Sequence, residues 1–280
     1  MLELAINSNN ECGNSPKETY NLIKDAGFTN VMVAAKTGQF EQNIKECLEC
    51  GLKIPYVHLN TKYANDLWVV GEANDELVKE KIEEIKICSK YNIPIAIMHV
   101  NQGDPSSLPI KPNKNGIKAF LKILEVAQKE NVKIALENID VRSIANLTYL
   151  LDKIKSEYLG LCFDVGHHSL YTPKVALLKK YKNRVFAIHI HDNLMDWKYG
   201  YDYTRDLHML PFDGKINFDK FCWALSDTCY DGVVMLEVHR IGLGEPRIYR
   251  KLSSVDFLSE AYKRAVKIQE MIKHNKKARE

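Results

Sequence analysis

The sequence predicts a single-domain (β/α)₈ barrel, a TIM barrel of the α/β class, spanning residues 1–280. Three observations predict it: eight short apolar runs, helical patterns that alternate strictly with them, and histidines gathered just past the ends of the runs. Length fits, because barrels of this kind commonly reach this size as one domain.

The runs are Leu2–Asn7, Asn30–Ala35, Ile54–Leu59, Pro94–Val100, Lys133–Ile139, Leu159–Val165, Val185–His191 and Gly232–Val238. Each is rich in β-branched residues and nearly continuous in apolar character. Strands buried on both faces, as in a parallel sheet covered by helices, require that pattern. Between the runs, Tyr20, Ile23 and Ala26 recur at helical spacing in Pro16–Ala26, with Ser15 placed to cap ahead of Pro16. Glu76–Tyr91 puts Leu77, Ile82, Ile85 and Cys88 on one stripe, and Ile117–Gln128 repeats it. Gly27, Gly51 and Gly160 stand near strand starts, where a left-handed residue is expected. Strict alternation implies right-handed crossovers and a parallel sheet. Eight units match closure into a barrel better than the alternative, an open doubly wound sheet. No GxGxxG or GxxxxGK[ST] follows the first run, which removes the main support for a nucleotide-binding fold.

Composition narrows the partners. A formal charge of +3 is too small for a dedicated nucleic-acid binder. The basic run Lys273, Lys276, Lys277 and Arg279 is expected to be a solvated helix end. No apolar stretch is long enough to span a membrane, and polar Asn7, Ser8, Asn9 and Asn10 stand where a signal peptide would be apolar. Seven cysteines without a dense pairing pattern fit a reducing compartment, so a cytoplasmic location is expected. Cys47 and Cys50 form a CxxC, but mid-helix and without a second pair, so no zinc role is expected there.

Eight of the nine histidines, His58, His99, His167, His168, His189, His191, His208 and His239, lie at the C-terminal end of a predicted strand or in the loop after it; only His274 does not. In a barrel those ends converge on one mouth, where active sites of this fold sit. Carboxylates join them: Glu137 ends the fifth run, Asp164 the sixth and Glu237 the eighth, with His189 in the seventh. Four consecutive strands can aim these four side chains at one point. Two Glu, one Asp and one imidazole suit a divalent ion: Mn²⁺, Mg²⁺, Co²⁺ or Zn²⁺. The competing explanation is simple ion pairing, but these strand ends offer few Lys or Arg, and an unpaired carboxylate in an apolar strand is costly. His191 shares the face of His189 by strand alternation, or else supports the ligands from behind, as does Asp192. His168 and His239 read equally well as plain loop residues.

At these motifs the sequence resembles the xylose isomerase-like TIM barrel superfamily, especially its sugar-phosphate isomerase/epimerase branch. The most specific stretches are Ala135-Leu-Glu-Asn138, Phe163-Asp-Val-Gly-His167, His189-Ile-His-Asp-Asn193 and Asp206-Leu-His-Met-Leu-Pro-Phe-Asp-Gly214. The resemblance implies metal ligands at Glu137, Asp164, His189 and Glu237, and a substrate-contacting histidine at His167. In epimerase members an arginine follows the seventh-strand histidine by six residues; Met195 stands there. A second branch, a three-zinc endonuclease acting at abasic DNA sites, has a pattern matched by His58, His99, Asp206 and His208 added to the four ligands, with His167. The opening His-x-Ser-x-Gly-Gly of that branch is absent, and the chain reads Asn7-Ser-Asn-Asn-Glu-Cys.

The expected function is therefore a metal-dependent isomerase or epimerase of a sugar, sugar phosphate or other sugar derivative, with one divalent ion per chain. Glu137 and Glu237 would exchange the proton at carbon, while His58, His99, His167, Asp206 and His208 bind substrate. Trp68 and Trp197, with Tyr199, Tyr201 and Tyr203, would wall the pocket. The alternatives are a related dehydratase or lyase, the abasic-site endonuclease with up to three Zn²⁺, and a barrel that binds a ligand without turning it over. Arg240, Arg247 and Arg250 follow the eighth run and are read either as a phosphate clamp or, preferably, as surface pairs or a contact between copies in a homo-oligomer.

Overall fold

A computed structural model of the chain describes residues 2–35, 38–101, 110–194, 205–242 and 248–279. The strands are β1 (Leu4–Asn7), β2 (Asn30–Ala34), β3 (Val57–His58), β4 (Ile95–His99), β5 (Lys133–Glu137), β6 (Leu159–Asp164), β7 (Val185–His189) and β8 (Val234–Leu236). All pair in parallel, in the sheet order β7-β6-β5-β4-β3-β2-β1-β8. Just past β7, Ile190 bridges Leu236 and completes the ring: its N–H donates to Met235 O at 2.9 Å, and Glu237 N–H donates to its carbonyl at 3.0 Å. The open-sheet alternative is thereby set aside.

Around the strands lie α1 (Pro16–Asp25), α2 (Phe40–Glu49), α3 (Glu72–Lys90), α4 (Lys114–Lys129), α5 (Ile144–Lys153), α6 (Val165–Tyr171), α7 (Leu177–Lys180), α8 (Phe218–Ser226) and α9 (Ser254–Lys277), with a 3₁₀ turn at Ala64–Trp68. Ser15 caps α1 by accepting from Glu18 N–H, as its place before Pro16 suggested. Helices α3 and α4 begin three or four residues earlier than their apolar stripes, because capping is a polar, local matter. Asn113, for instance, caps α4 by accepting from the N–H groups of Asn115 and Gly116.

The glycines need one correction. Gly27 and Gly51 do take left-handed angles, at φ 102° and 79°. Gly160 does not: it lies inside β6, where a Cβ would collide with the Phe186 ring and the Arg184 carbonyl of the neighbouring strand. The left-handed turns before β4 and β5 belong to Asn92 and Asn131, at φ 55° and 54°, asparagine being among the side chains that tolerate that region.

Inside the ring, Ala5, Met32, Tyr56, Ile97, Ala135, Cys162, Ala187 and Met235 form one buried apolar cluster, one residue from each strand or its lead-in. Tyr56 satisfies its hydroxyl by donating to Ile188 O at 2.9 Å. Side chains alternate along a strand with period two. The next inward positions toward the C-terminal ends are therefore Asn7, Ala34, His58, His99, Glu137, Asp164, His189 and Glu237. A hydrophobic floor thus lies directly beneath a layer in which His58, His99, Glu137, Asp164, His189 and Glu237 supply candidate donors. A second, larger core fills the space between the strands' outer faces and the helices.

Candidate metal centre

The site is assembled from strand ends whose backbone is fixed by amide side chains. Asn138, next to Glu137, donates to Asp164 O at 2.9 Å and accepts from Asp164 N–H at 3.0 Å, clamping the end of β6 to the end of β5. Asn7 accepts from Val238 N–H at 3.0 Å and ties β1 to the segment after β8. Asp164 both ends β6 and caps α6, accepting from His167 N–H at 2.7 Å through Oδ1. Its Oδ2 is buried and has no hydrogen-bond partner.

Glu137, Asp164, His189 and Glu237, expected together, are together: one donor atom from each lies within 4.8 Å of the others. His189 Nδ1 is 2.9 Å from Glu137 Oε1, 3.1 Å from Glu237 Oε2 and 3.7 Å from Asp164 Oδ2. Glu137, Asp164 and His189 are all at most 1% exposed, and Glu237 is 9% exposed. Among the described residues, every ion pair of these three carboxylates is with an imidazole.

The imidazoles are oriented as ligands require. His58 Nδ1–H donates to the Leu59 carbonyl at 3.0 Å, leaving the Nε2 lone pair to face Glu137 Oε2 at 3.0 Å. His208 Nδ1–H donates to the Glu237 carbonyl at 2.8 Å, leaving Nε2 to face Asp206 Oδ2 at 3.4 Å. His189 Nε2 lies 3.2 Å from Met32 Sδ, a weak acceptor, so Nδ1 turns its lone pair toward the carboxylates. A lone pair opposite a carboxylate needs a cation between them, either a proton or a metal ion. Filled by protons alone, the site is strongly polarised. Burial alone would push the Glu137 carboxyl up, but His189, His167 and His58 hold it well below the usual range. Burial opposes the charging of His208 too, yet Asp206 pushes that imidazole up to about 9. Asp164 Oδ2, buried without a hydrogen bond, fits a metal ion together with buried His167 Nδ1 and His191 Nε2, which face carboxylate oxygens at 3.5 and 3.0 Å but make no hydrogen bond.

Two further donor groups adjoin the first. His58 and His99 converge on Glu137, the latter with Nε2 at 3.1 Å from Oε2. His167, His191, Asp206 and His208 form the other, with His167 Nε2 at 2.8 Å from Asp206 Oδ2 and the His191 and His208 rings stacked 3.9 Å apart. His191 is thus a candidate donor rather than only a support. Gly166 allows it: a Cβ there would overlap the His191 ring. The residue reached through a positive φ is His208, at 46°, a conformation that non-glycine residues adopt mainly where surrounding structure enforces it.

Asp192 is turned away from the donors. It accepts from the N–H groups of Asn193, Phe212, Gly214 and Ile216 at 2.8–3.0 Å and so organises the segment that carries Asp206 and His208. Asn193 adds a bond from Leu207 N–H at 2.6 Å. Asn138 and Asn193 stand beside candidate donors in Ala-Leu-Glu-Asn and His-Ile-His-Asp-Asn, and that adjacency is the one sequence signal of their roles.

Other expected residues fall elsewhere. Trp68 is packed inside the protein at 1% exposure, its indole N–H donating to Val100 O at 2.6 Å and its ring beside Phe120, so it does not wall the mouth. A flanking segment rich in aromatics does not distinguish a pocket wall from a core anchor. His168 donates to or accepts from nothing in the donor groups; its Nε2–H meets Val175 O at 3.0 Å. His239 lies at the rim, 3.9 Å from Glu11. Arg240 uses its guanidinium on the carbonyls of Glu11 and Leu252, which leaves little of a phosphate clamp. Trp197, Tyr199, Tyr201, Tyr203, Met195 and Arg247 lie outside the described residues. No helix among those described is long and apolar enough to cross a membrane.

A parallel eight-stranded barrel with a metal-competent set at its C-terminal mouth defines a class of α/β-barrel protein. Within it, residues 20–260 match the family described as the xylose isomerase-like TIM barrel, and the chain belongs to that family. It is 24% identical to the protein y4fM of Sinorhizobium fredii, over 91% of this chain and 89% of that one. Among solved structures it resembles L-ribulose 3-epimerase, with TM-score 0.75, 14% identity and coverage of 99% and 97%. It also resembles the IolI protein with a bound zinc atom, with TM-score 0.71, 16% identity and coverage of 95% and 98%. At these identities the structural likeness shows the shared fold. Several of the neighbours are themselves sugar 3-epimerases, among them L-ribulose 3-epimerase and D-psicose 3-epimerase.

Proposed function

We propose that the chain is a divalent-metal-dependent isomerase or epimerase of a sugar or sugar derivative. The observation that carries this reading is the buried set of Glu137, Asp164, His189 and Glu237, three carboxylates whose ion pairs among the described residues are all with imidazoles. A bound divalent ion would polarise a carbonyl oxygen and the neighbouring hydroxyl and offset the negative charge of an enediolate. Glu137 and Glu237 come from β5 and the segment after β8, so they approach one point from different sides. One would remove the proton at carbon and the other return it, a division of labour that general acid–base chemistry needs. His167 and His208, already held to Asp206, would donate to substrate oxygens. The apolar floor below excludes water from that exchange.

The test is solvent deuterium incorporation across a panel of ketoses, aldoses and their phosphates, with Mn²⁺, Mg²⁺, Co²⁺ or Zn²⁺ supplied. Exchange at the carbon next to a carbonyl in at least one sugar is expected. Metal binding without exchange in any sugar would contradict the reading.

The two extra donor groups favour a second reading, a multi-ion hydrolase such as the abasic-site endonuclease with up to three Zn²⁺. The chain's small net charge argues against it, since binding to a phosphate backbone draws on neutralising cationic side chains. Metal content separates the two: one ion per chain accompanies sugar chemistry, and three zincs with incision of abasic DNA accompany the alternative.

A further inference from the structure

The outer ring of the barrel has a gap. After β6 the chain supplies only two short helices, α6 and α7 of seven and four residues, where each other unit supplies one of nine residues or more. The gap is a cavity of about 600 Å³ between these helices and α8, outside the barrel wall. Its walls are apolar: Phe163 from the outer face of β6, Val165, Val175, Leu178, Ile216 and Phe221. Its rim is cationic: Lys174, Lys179, Lys215 and Lys220 line it, and among the described residues no acidic one does. All four lysines are exposed. Eight other surface lysines, Lys53, Lys90, Lys129 and Lys180 among them, pair with a carboxylate, whereas no ammonium of these four has an ion-pair partner among the described residues. The cavity is separate from the donor groups; α6 lies between, presenting His167 to the mouth and His168 to the groove.

We propose that this groove binds a small amphipathic organic anion, with an apolar acyl or aryl body against Phe163, Leu178 and Phe221 and a carboxylate, sulfonate or phosphate at the lysine rim. Size, wall and charge each point there. The volume is that of a small-molecule site, and such sites combine apolar walls with a few polar groups that fix orientation. Four like charges around an apolar cavity repel one another, and an anion seated among them relieves that repulsion while its apolar part leaves water. A sugar or other wholly polar ligand would waste the wall, and a neutral hydrocarbon would waste the rim.

The test uses anilinonaphthalene sulfonate as a fluorescent probe of the native protein, displaced by decanoate or by decanol. Saturable binding of one probe per chain is expected, with decanoate displacing it at least about tenfold better than decanol, as a charge preference at a partly desolvated rim implies. The paired charge reversal Lys179→Glu with Lys220→Glu should weaken the probe by about tenfold or more, leaving circular dichroism unchanged. Ala224→Trp, which fills the groove, should abolish binding; because that variant could misfold, the exposed lysine pair decides the matter independently. Equal displacement by decanol, or an unchanged affinity in the lysine pair variant, overturns the proposal. So does failure of the native chain to bind the probe. A signal per chain that falls as chain concentration rises would put a second copy in the groove instead, which also overturns it.

Discussion

A single residue separates Ala135 from Glu137, Cys162 from Asp164 and Ala187 from His189, and all six side chains point into the same ring of strands. The lower three belong to an apolar cluster that includes Met32, Ile97 and Met235. The upper three carry charge or a lone pair, and Asp164 leaves one buried oxygen without a partner. Packing accounts for the lower layer, whereas the upper layer keeps a buried oxygen without a hydrogen bond, as the proposed cation site requires. One strand can therefore serve stability in one half and chemistry in the other, which is why this fold separates the two so cleanly. It also follows that substitutions in the two layers should fail in different ways.

The largest effect on stability should come from the packed regions. Trp68→Ala removes a buried indole and its hydrogen bond to Val100, and should cost about 3–5 kcal/mol in urea unfolding. A cost under about 1 kcal/mol would show that Trp68 is not a core anchor. In the upper layer, Glu137→Gln and Glu237→Gln should each lower exchange activity by about 10²-fold or more, while keeping native circular dichroism and a single unfolding transition. Turnover near wild type in either variant would end the two-carboxylate mechanism. Between these extremes, Asp192→Asn should destabilise by about 1.5–3 kcal/mol, because an amide cannot accept all four N–H bonds that the carboxylate takes. It should also reduce activity, since the segment it holds carries Asp206 and His208; stability loss without any change in activity would detach that segment from the site. The smallest effect is expected from Ala135→Leu in the floor, which should cost about 1–3 kcal/mol by overpacking. Urea midpoints resolve it, and unchanged stability would mean the floor has room to spare.

The strand runs and their order were legible because two-sided burial writes continuous apolar stretches, and closure followed from counting them. The convergence of a candidate donor set was legible because Glu137, Asp164 and Glu237 interrupt such stretches, which apolar packing alone would never favour. Other features were hidden for physical reasons. The left-handed turns at Asn92 and Asn131 carry no motif of their own, and Gly160 resembles a turn glycine until the neighbouring Phe186 is in place. Trp68 was misjudged because burial of a loop aromatic depends on what packs against it, here Phe120 and Gly116 from α4. The roles of Asn138 and Asn193 require knowing which backbone groups lie opposite them, information that exists only once the strands have closed.

The central claim is that the upper layer holds a divalent ion needed for activity while the lower layer and the outer core hold the fold. Chelation tests both halves at once. Removal of the ion with EDTA, followed by metal analysis, far-UV circular dichroism and the exchange assay on one sample, should give a metal-free protein with an intact spectrum, no exchange, and recovery when the divalent ion is returned. Unlike small domains folded around their metal, a barrel with this core should not need the ion to stay folded. Collapse of the circular dichroism on chelation, or full exchange activity in the metal-free protein, would contradict the account.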